Sequence, residues 1–344
     1  MPAPESRLPD WQRAHGAPLF RGAIKQSPND FEVTEELGFE LSGDGEHDFL
    51  WIEKRDANTA WVARQLARHA GVAAKDVGYA GLKDRHAVTR QWFSVRRPSG
   101  SGTDWKAADI AGVRILDIGR NRRKLRRGAH TGNAFRIIVR GADCPASQVE
   151  ERLGRIGVAG VPNYFGPQRF GRDGANLALA RSLFAGKRMQ RDRRSIALSA
   201  ARSYLFNEVL AGRVAARTWD RAEAGDLVSL DGSASFFPVP TVADDIQTRI
   251  ENLDLHPTGP LWGRTDPAND TQLPEAEQQV AALHSALVSG LESAGVTMAR
   301  RALRVAVRQL DWELSGDDLS LSFRLPRGGY ATAVLAEIGS IADD

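Results

Sequence analysis

Residues 78–95 read GYAGLKDRHAVTRQWFSV, and within them one carboxylate, Asp84, stands among three potential cations, Lys83, Arg85 and His86. An aspartate carboxyl of ordinary pKa, ~3.9, is ionised at neutral pH, and nearby cations keep it so, which suits a nucleophile or base rather than an acid. The bland reading is a turn whose surface ion pairs contribute roughly 0–1 kcal/mol. His86 reads more simply as a structural hydrogen-bonding residue.

Other chemistries find little support. Seven histidines and one cysteine, Cys144, show no HxxxH, CxxC or HExxH spacing, so no metal is expected. The chain has no GxxxxGKS/T motif, and GDGEH at 43–47 follows no strand-to-helix frame, so that segment reads as a turn and no ATP or dinucleotide cofactor is expected. A lone cysteine excludes an intramolecular disulfide. With no apolar run of ~20 residues and no signal-like h-region in MPAPESRLPDWQRAHG, the cytoplasm is the default and no membrane is expected.

Charge is clustered rather than large. Forty-six Lys and Arg against 43 Asp and Glu leave +3, so a polyanion must be met locally. The run RNRRKLRR at 120–127 holds Arg122, Arg123, Lys124 and Arg126, and GKRMQRDRR at 186–194 is a second basic block, whereas acidic residues collect in DPANDTQLPEAEQ. Either the first run is a solvated face or it contacts RNA phosphates. VPNYFGPQRFG at 161–171 groups Asn163, Tyr164, Phe165, Gln168 and Arg169. Such a set can stack on and pair with unstacked bases, or can be an aromatic corner that seats a domain.

The elements that must position these residues are legible from period and punctuation. A turn at Pro28-Asn29-Asp30 feeds a strand with Phe31, Val33 and Glu35 on one face. HDFLWIEKR is a second strand. NTAWVARQLARHAG is a helix with Asn58 as N-cap and Gly71 as its C′ stop. RQWFSV, VRILDIGR and GNAFRIIVRG read as strands, SQVEERLGRIG as a helix. From about 158 to 298 the texture is helical: NLALARSLFAG, SAARSYLFNEVLAGRVAAR and EAEQQVAALHSALVSGLESAG each carry the 3.6-residue apolar spacing. RVAVRQLDWELSGDDLSLSFRLP predicts a hairpin, Leu310, Trp312 and Leu314 answering Leu319, Leu321 and Phe323. A two-stranded hairpin is marginal alone, so it should join the N-terminal sheet, making the helical middle an insertion. At 344 residues about two domains are expected.

GYAGLKDRHAVTRQWFSV, GNAF, VPNYFGPQRFG, LSAARSYLFNEVL and GGYATAVLAEI, in that order, resemble the TruD family of tRNA pseudouridine synthases, from about Lys25 to the C-terminus. That resemblance implies an α+β catalytic domain with a central antiparallel sheet, in two parts at 1–157 and 304–344, interrupted by a mainly helical α/β domain at 158–303. It implies isomerisation of uridine 13 of tRNA, without cofactor or metal. No protein partner is expected to be required, and the absence of a heptad or an obvious dimer stripe makes a monomer the expectation. Asp84 matches the family's catalytic aspartate and Lys25 the basic residue near it. Phe31, Asn133 and Tyr330 match residues around the target nucleotide, Tyr330 replacing a phenylalanine. Phe135 stands where other pseudouridine synthases carry a tyrosine, and a ring without a hydroxyl cannot serve as general base. A non-catalytic RNA binder and a hydrolase releasing free uracil are the readings that compete with an isomerase.

Overall fold

The computed structural model describes residues 8–97, 102–233, 235–265 and 273–343. The start of the N-terminal stretch and the first part, 266–272, of the segment DPANDTQLPEAEQ therefore lie outside the described residues. Two compact units emerge from the chain. The first comprises the described residues of Met1–Ala17, Arg152–Ala306 and Tyr330–Glu337, the second those of Pro18–Glu151, Val307–Gly329 and Ile338–Asp344.

The second unit is built on one mixed sheet. Its strands are β1 (Arg21–Ile24), β2 (Phe31–Leu37), β3 (His47–Arg55), β4 (Val77–Tyr79), β5 (Val88–Arg96), β6 (Val113–Asn121) and β7 (His130–Arg140), joined by Arg308–Ser315, Asp318–Pro326 and Ser340–Asp343. The main path runs Arg308–Ser315, Asp318–Pro326, β7, β2, β5, β3, β6. All neighbours on it are antiparallel except β2 and β5, which are parallel. The C-terminal hairpin does join this sheet: Trp312 faces Leu321, Leu314 faces Leu319, and the strand carrying Leu319, Leu321 and Phe323 pairs along β7. Buried apolar residues on both partners fix that register, since a one-residue slip would turn them to solvent.

Helix α1 (Thr59–His69) begins as its sequence predicts, Asn58 accepting from the Ala60 and Trp61 amides, and ends at Gly71 with φ +65°. Its buried stripe, Val62, Ala63, Leu66 and Ala67, packs with Leu50, Ile52, Phe93 and Val95 of the sheet.

In the first unit, helix α3 (Ala175–Phe184) and the long α4 (Arg191–Ala215) carry the core, with Leu198, Leu205, Phe206 and Leu210 buried; α2 (Ala146–Ala159) leads into it. Two features differ from the helical expectation. EAEQQVAALHSALVSGLESAG is two helices, Glu275–Leu283 and Ser285–Ser293, because His284 leaves helical geometry (φ −117°, ψ 35°) with its ring edge-on to Tyr204. A four-stranded sheet also forms, in the order Phe236–Val239, Asp226–Leu230, Leu255–Leu261, Ala299–Ala302. The prolines in LHPTGPL argue against a strand, since proline cannot donate to a ladder, yet Pro257 and Pro260 both sit in paired positions.

Candidate active site

Strand pairing places the candidate residues of the second unit on one face of the mixed sheet. Phe31 pairs with Ile137, Val33 with Phe135 and Glu35 with Asn133; Val33 also pairs with Thr89, and Thr89 with Lys54. Paired residues share a face and alternate residues repeat it. A register shift at Glu36/Leu37 sets Leu37 opposite His130, so this irregularity turns His130 to the same face as Asn133.

The turn bearing Asp84 joins β4 to β5, and four side chains pin it. Lys83 donates from Nζ to Glu35 Oε2 at 2.8 Å, with Glu35 also accepting from the Trp92 amide at 3.3 Å. The Lys83 amide donates to Thr59 Oγ1 at 3.1 Å, and that hydroxyl donates to Gln91 Oε1 at 3.1 Å. Gln91 Nε2 donates to the Gly81 carbonyl at 3.2 Å. From β3, Lys54 Nζ donates to the Asp84 carbonyl at 2.7 Å. Leu82, Asp84, Arg85 and His86 remain exposed.

These contacts correct the simple picture of three cations around one carboxylate. The Lys83 ammonium is committed to Glu35 inside the fold, its side chain only 6% exposed, so it is not presented to a phosphate. His86 Nδ1 lies 3.6 Å from Asp56 Oδ1, both exposed. Lys54, absent from the residues expected at the site, lies fully buried beneath the turn. It sits in phase with Ile52 on β3, but a lysine is ordinarily read as an outward residue, and only the pairing with Thr89 reveals it.

Lys25 follows β1 with φ +61°, a left-handed conformation that is costly for a non-glycine residue and tends to persist at functional sites. Its Nζ is 4.8 Å from the centre of the Phe31 ring. Phe31 is buried, edge-on to Phe135 at 6.3 Å, and Phe135 stacks on Phe323 at 5.4 Å. Thr89 Oγ1, His130 Nδ1 and Asn133 Oδ1, all on this face, are buried atoms without a hydrogen-bond partner. Buried polar atoms are rarely left unmatched, so such a cluster marks a place where a polar ligand can complete them. Burial, with Lys83 and Arg327 adding to it, lowers the His130 pKa to about 4, so its imidazole is neutral at pH 7.

Much of the basic run is tied down. Arg122 forms a pair with Asp44 at 2.9 Å, Lys124 donates to the Lys75 carbonyl, and Arg127 lies over Tyr79 and donates to its hydroxyl at 2.8 Å. The loop is drawn close to β4: a Cβ on Gly78 would meet the Leu125 carbonyl at 2.3 Å, which makes glycine obligatory there. Arg123 and Arg126 stand exposed between these anchors.

In the first unit, residues 161–171 form an aromatic corner. Asn163 is buried, donating to the Ala302 carbonyl and accepting from Arg301. The Arg301 guanidinium lies 4.3 Å from the Phe165 ring centre and 5.8 Å from that of Tyr330; burial lowers its pKa to about 10, with Arg169 acting in the same direction. Arg169 donates to Ser199 Oγ and to Tyr330 Oη at 3.0 Å, and Tyr164 donates to the Gln12 carbonyl at 3.2 Å. Gln168 is exposed. Asn163, Phe165 and Arg301 thus hold the corner itself, and Tyr330 closes it.

Among the described residues no group of three or more His, Cys, Asp or Glu is placed to hold a metal ion, and no helix is long and apolar enough to cross a membrane.

Comparison with known proteins assigns this architecture to a family. The family model described as tRNA pseudouridine synthase D (TruD) matches residues 14–190 and 180–338. A tRNA pseudouridine synthase D of Methylococcus capsulatus is 50% identical over 332 residues, covering 96% of this chain and 94% of its own length. One from Nitrosococcus oceani is 47% identical over 326 residues, covering 93% and 91%. The crystal structure of a Methanosarcina mazei protein described by the same family name superposes with a TM-score of 0.72 over 98% of both chains; at 22% identity it speaks to the fold alone.

Proposed function

The chain belongs to the tRNA pseudouridine synthase D family, and from that premise we propose that it isomerises uridine 13 of tRNA to pseudouridine with Asp84 as the acting carboxylate. One observation carries the assignment to Asp84. Four side chains, from β2, β3, α1 and β5, fix the turn around it, while Asp84 itself is left exposed. A reacting group carried on a fixed turn needs little backbone reorganisation when the reaction begins, which is how a site gains rate from preorganisation.

The reaction breaks the N1–C1′ bond of uridine and forms a C5–C1′ bond; N1 gains a proton and C5 loses one. Asp84 acts at the ribose, stabilising C1′ as uracil departs. The target must first leave its stack. Asn133 Oδ1, buried and unmatched, suits a base or ribose donor, and Lys25, over the Phe31 ring, supplies positive charge on the same face. Phe135 offers no proton acceptor, so water or another group takes the C5 proton. In this reading residues 158–303 form a domain inserted between the catalytic parts 1–157 and 304–344, with the described residues of Met1–Ala17 and Tyr330–Glu337 grouped with the insertion.

Carbodiimide labelling and primer extension on unmodified tRNA transcripts test the position and the product. A stop at position 13 supports the reading. A stop elsewhere corrects the substrate position, and release of free uracil without a stop would make the protein a hydrolase instead.

A further inference from the structure

A lysine with no exposed surface is unusual, because an ammonium in a low-dielectric interior must be compensated by partners. Lys54 is such a residue. It lies on β3 between the sheet and the turn, its whole side chain buried, and its Nζ donates to the backbone carbonyl of Asp84 at 2.7 Å. The charged groups that face it are Asp84 and Lys83 from the turn and Asp56 from the segment after β3. Across the sheet its paired neighbour is Thr89, whose hydroxyl is buried and unmatched. An alkyl chain in place of Lys54 would offer the Asp84 carbonyl no donor.

We propose that Lys54 is a positioning residue for the isomerisation: by holding the Asp84 carbonyl from inside the sheet, its ammonium fixes where the Asp84 carboxylate stands. The inference rests on the reading of Asp84 as the acting group. Burial lowers the Lys54 pKa to about 8, partly offset by Asp84 and reinforced by Lys83. The charge that secures the turn is therefore lost within an accessible pH range. Its loss does not weaken the fold through this residue. An unfolded lysine titrates near ~10.4, so between the two pKa values the unfolded chain binds more protons, and this residue's contribution to stability rises with pH. An alkaline fall in rate centred near Lys54's pKa is thus separable from unfolding.

The test compares single-turnover rate and KM against pH for wild type, Lys54→Met and Lys54→Arg, with amide hydrogen exchange over residues 80–87 measured on the same proteins. For wild type the rate at saturating tRNA should fall to half near pH 8. Lys54→Met should lose roughly 10²-fold in rate, as expected for small misplacements of a reacting group. It should show no alkaline limb, a KM within about twofold of wild type, and faster exchange at residues 83–86. Lys54→Arg keeps its charge at every accessible pH, so its profile should lack the limb while activity is partly retained. A flat wild-type profile from pH 7 to 9.5, an alkaline limb that survives in either variant, or unchanged exchange in Lys54→Met would overturn the proposal. Should Lys54→Met fail to fold, the wild-type profile and Lys54→Arg decide alone. Should wild type make no pseudouridine, the functional reading fails, while the exchange measurement still reports whether Lys54 holds the turn.

Discussion

The two faces of the mixed sheet carry charged residues in different ways. On the outer face, Arg136, Glu32, Arg90, Glu53 and Arg114 form a ladder across β7, β2, β5, β3 and β6, with contacts of 3.8, 3.1, 2.8 and 2.9 Å and alternating sign. On the inner face, Lys54, Glu35 and Lys83 are buried and committed to one turn, and three polar atoms have no partner. Opposite charges paired at the surface stabilise modestly and require no further partner. Buried polar groups committed to one turn, beside atoms left without a partner, leave hydrogen-bonding capacity that a polar ligand can complete. Charge count does not separate the faces; completion of partners does.

Breaking the inner pair should cost most. Lys83→Met leaves the Glu35 carboxylate buried without its cation, and a loss of about 3–5 kcal/mol in urea unfolding is expected; Arg114→Ser on the outer ladder should cost under about 1 kcal/mol. Equal losses would erase the distinction between the faces. Phe31→Ala comes next. The ring is buried against Phe135 rather than open to a base, so the change should remove about 3 kcal/mol of stability. Lowered rate with an unchanged unfolding midpoint would instead restore a direct role in receiving the nucleotide.

His130 gives a pH test of the inner face. Its folded pKa of about 4 lies below the ordinary histidine value of 6.5, so the unfolded chain takes up a proton first as pH falls. Stability from this residue is present above 6.5 and lost on descending toward 4. Wild type should accordingly lose more unfolding free energy between pH 7 and 4.5 than His130→Gln; parallel losses would mean the imidazole is not held neutral. The smallest effect concerns the exposed arginines of the basic run. Arg123→Ser with Arg126→Ser should lower the slope of log affinity for tRNA against log salt by about 1 to 2 without changing stability, while Arg122→Ser, removing a residue already paired with Asp44, should move it less.

What the sequence disclosed followed from local rules. Asn58 and Gly71 bound α1, the Pro28–Asp30 turn starts β2, and the Ser315–Asp318 turn closes the C-terminal hairpin because each signal lies within a few residues of its effect. Asp84 and its exposed neighbours were likewise legible as a charged turn. The supports beneath it were not. Lys54, Glu35, Thr59 and Gln91 come from four elements up to 48 residues from the atoms they hold, and only sheet register brings them together. The strand with Pro257 and Pro260 was hidden for a related reason, since tertiary pairing overrode residue preference.

Whether the fixed turn presents Asp84 as the acting carboxylate is tested most directly by single-turnover pseudouridine formation by Asp84→Asn beside wild type on one tRNA transcript. A carboxamide keeps the size of the side chain and removes its charge. The expected result is a rate lower by roughly 10³-fold or more with unchanged tRNA affinity and unfolding midpoint. A rate within about tenfold of wild type would show that another residue does the chemistry.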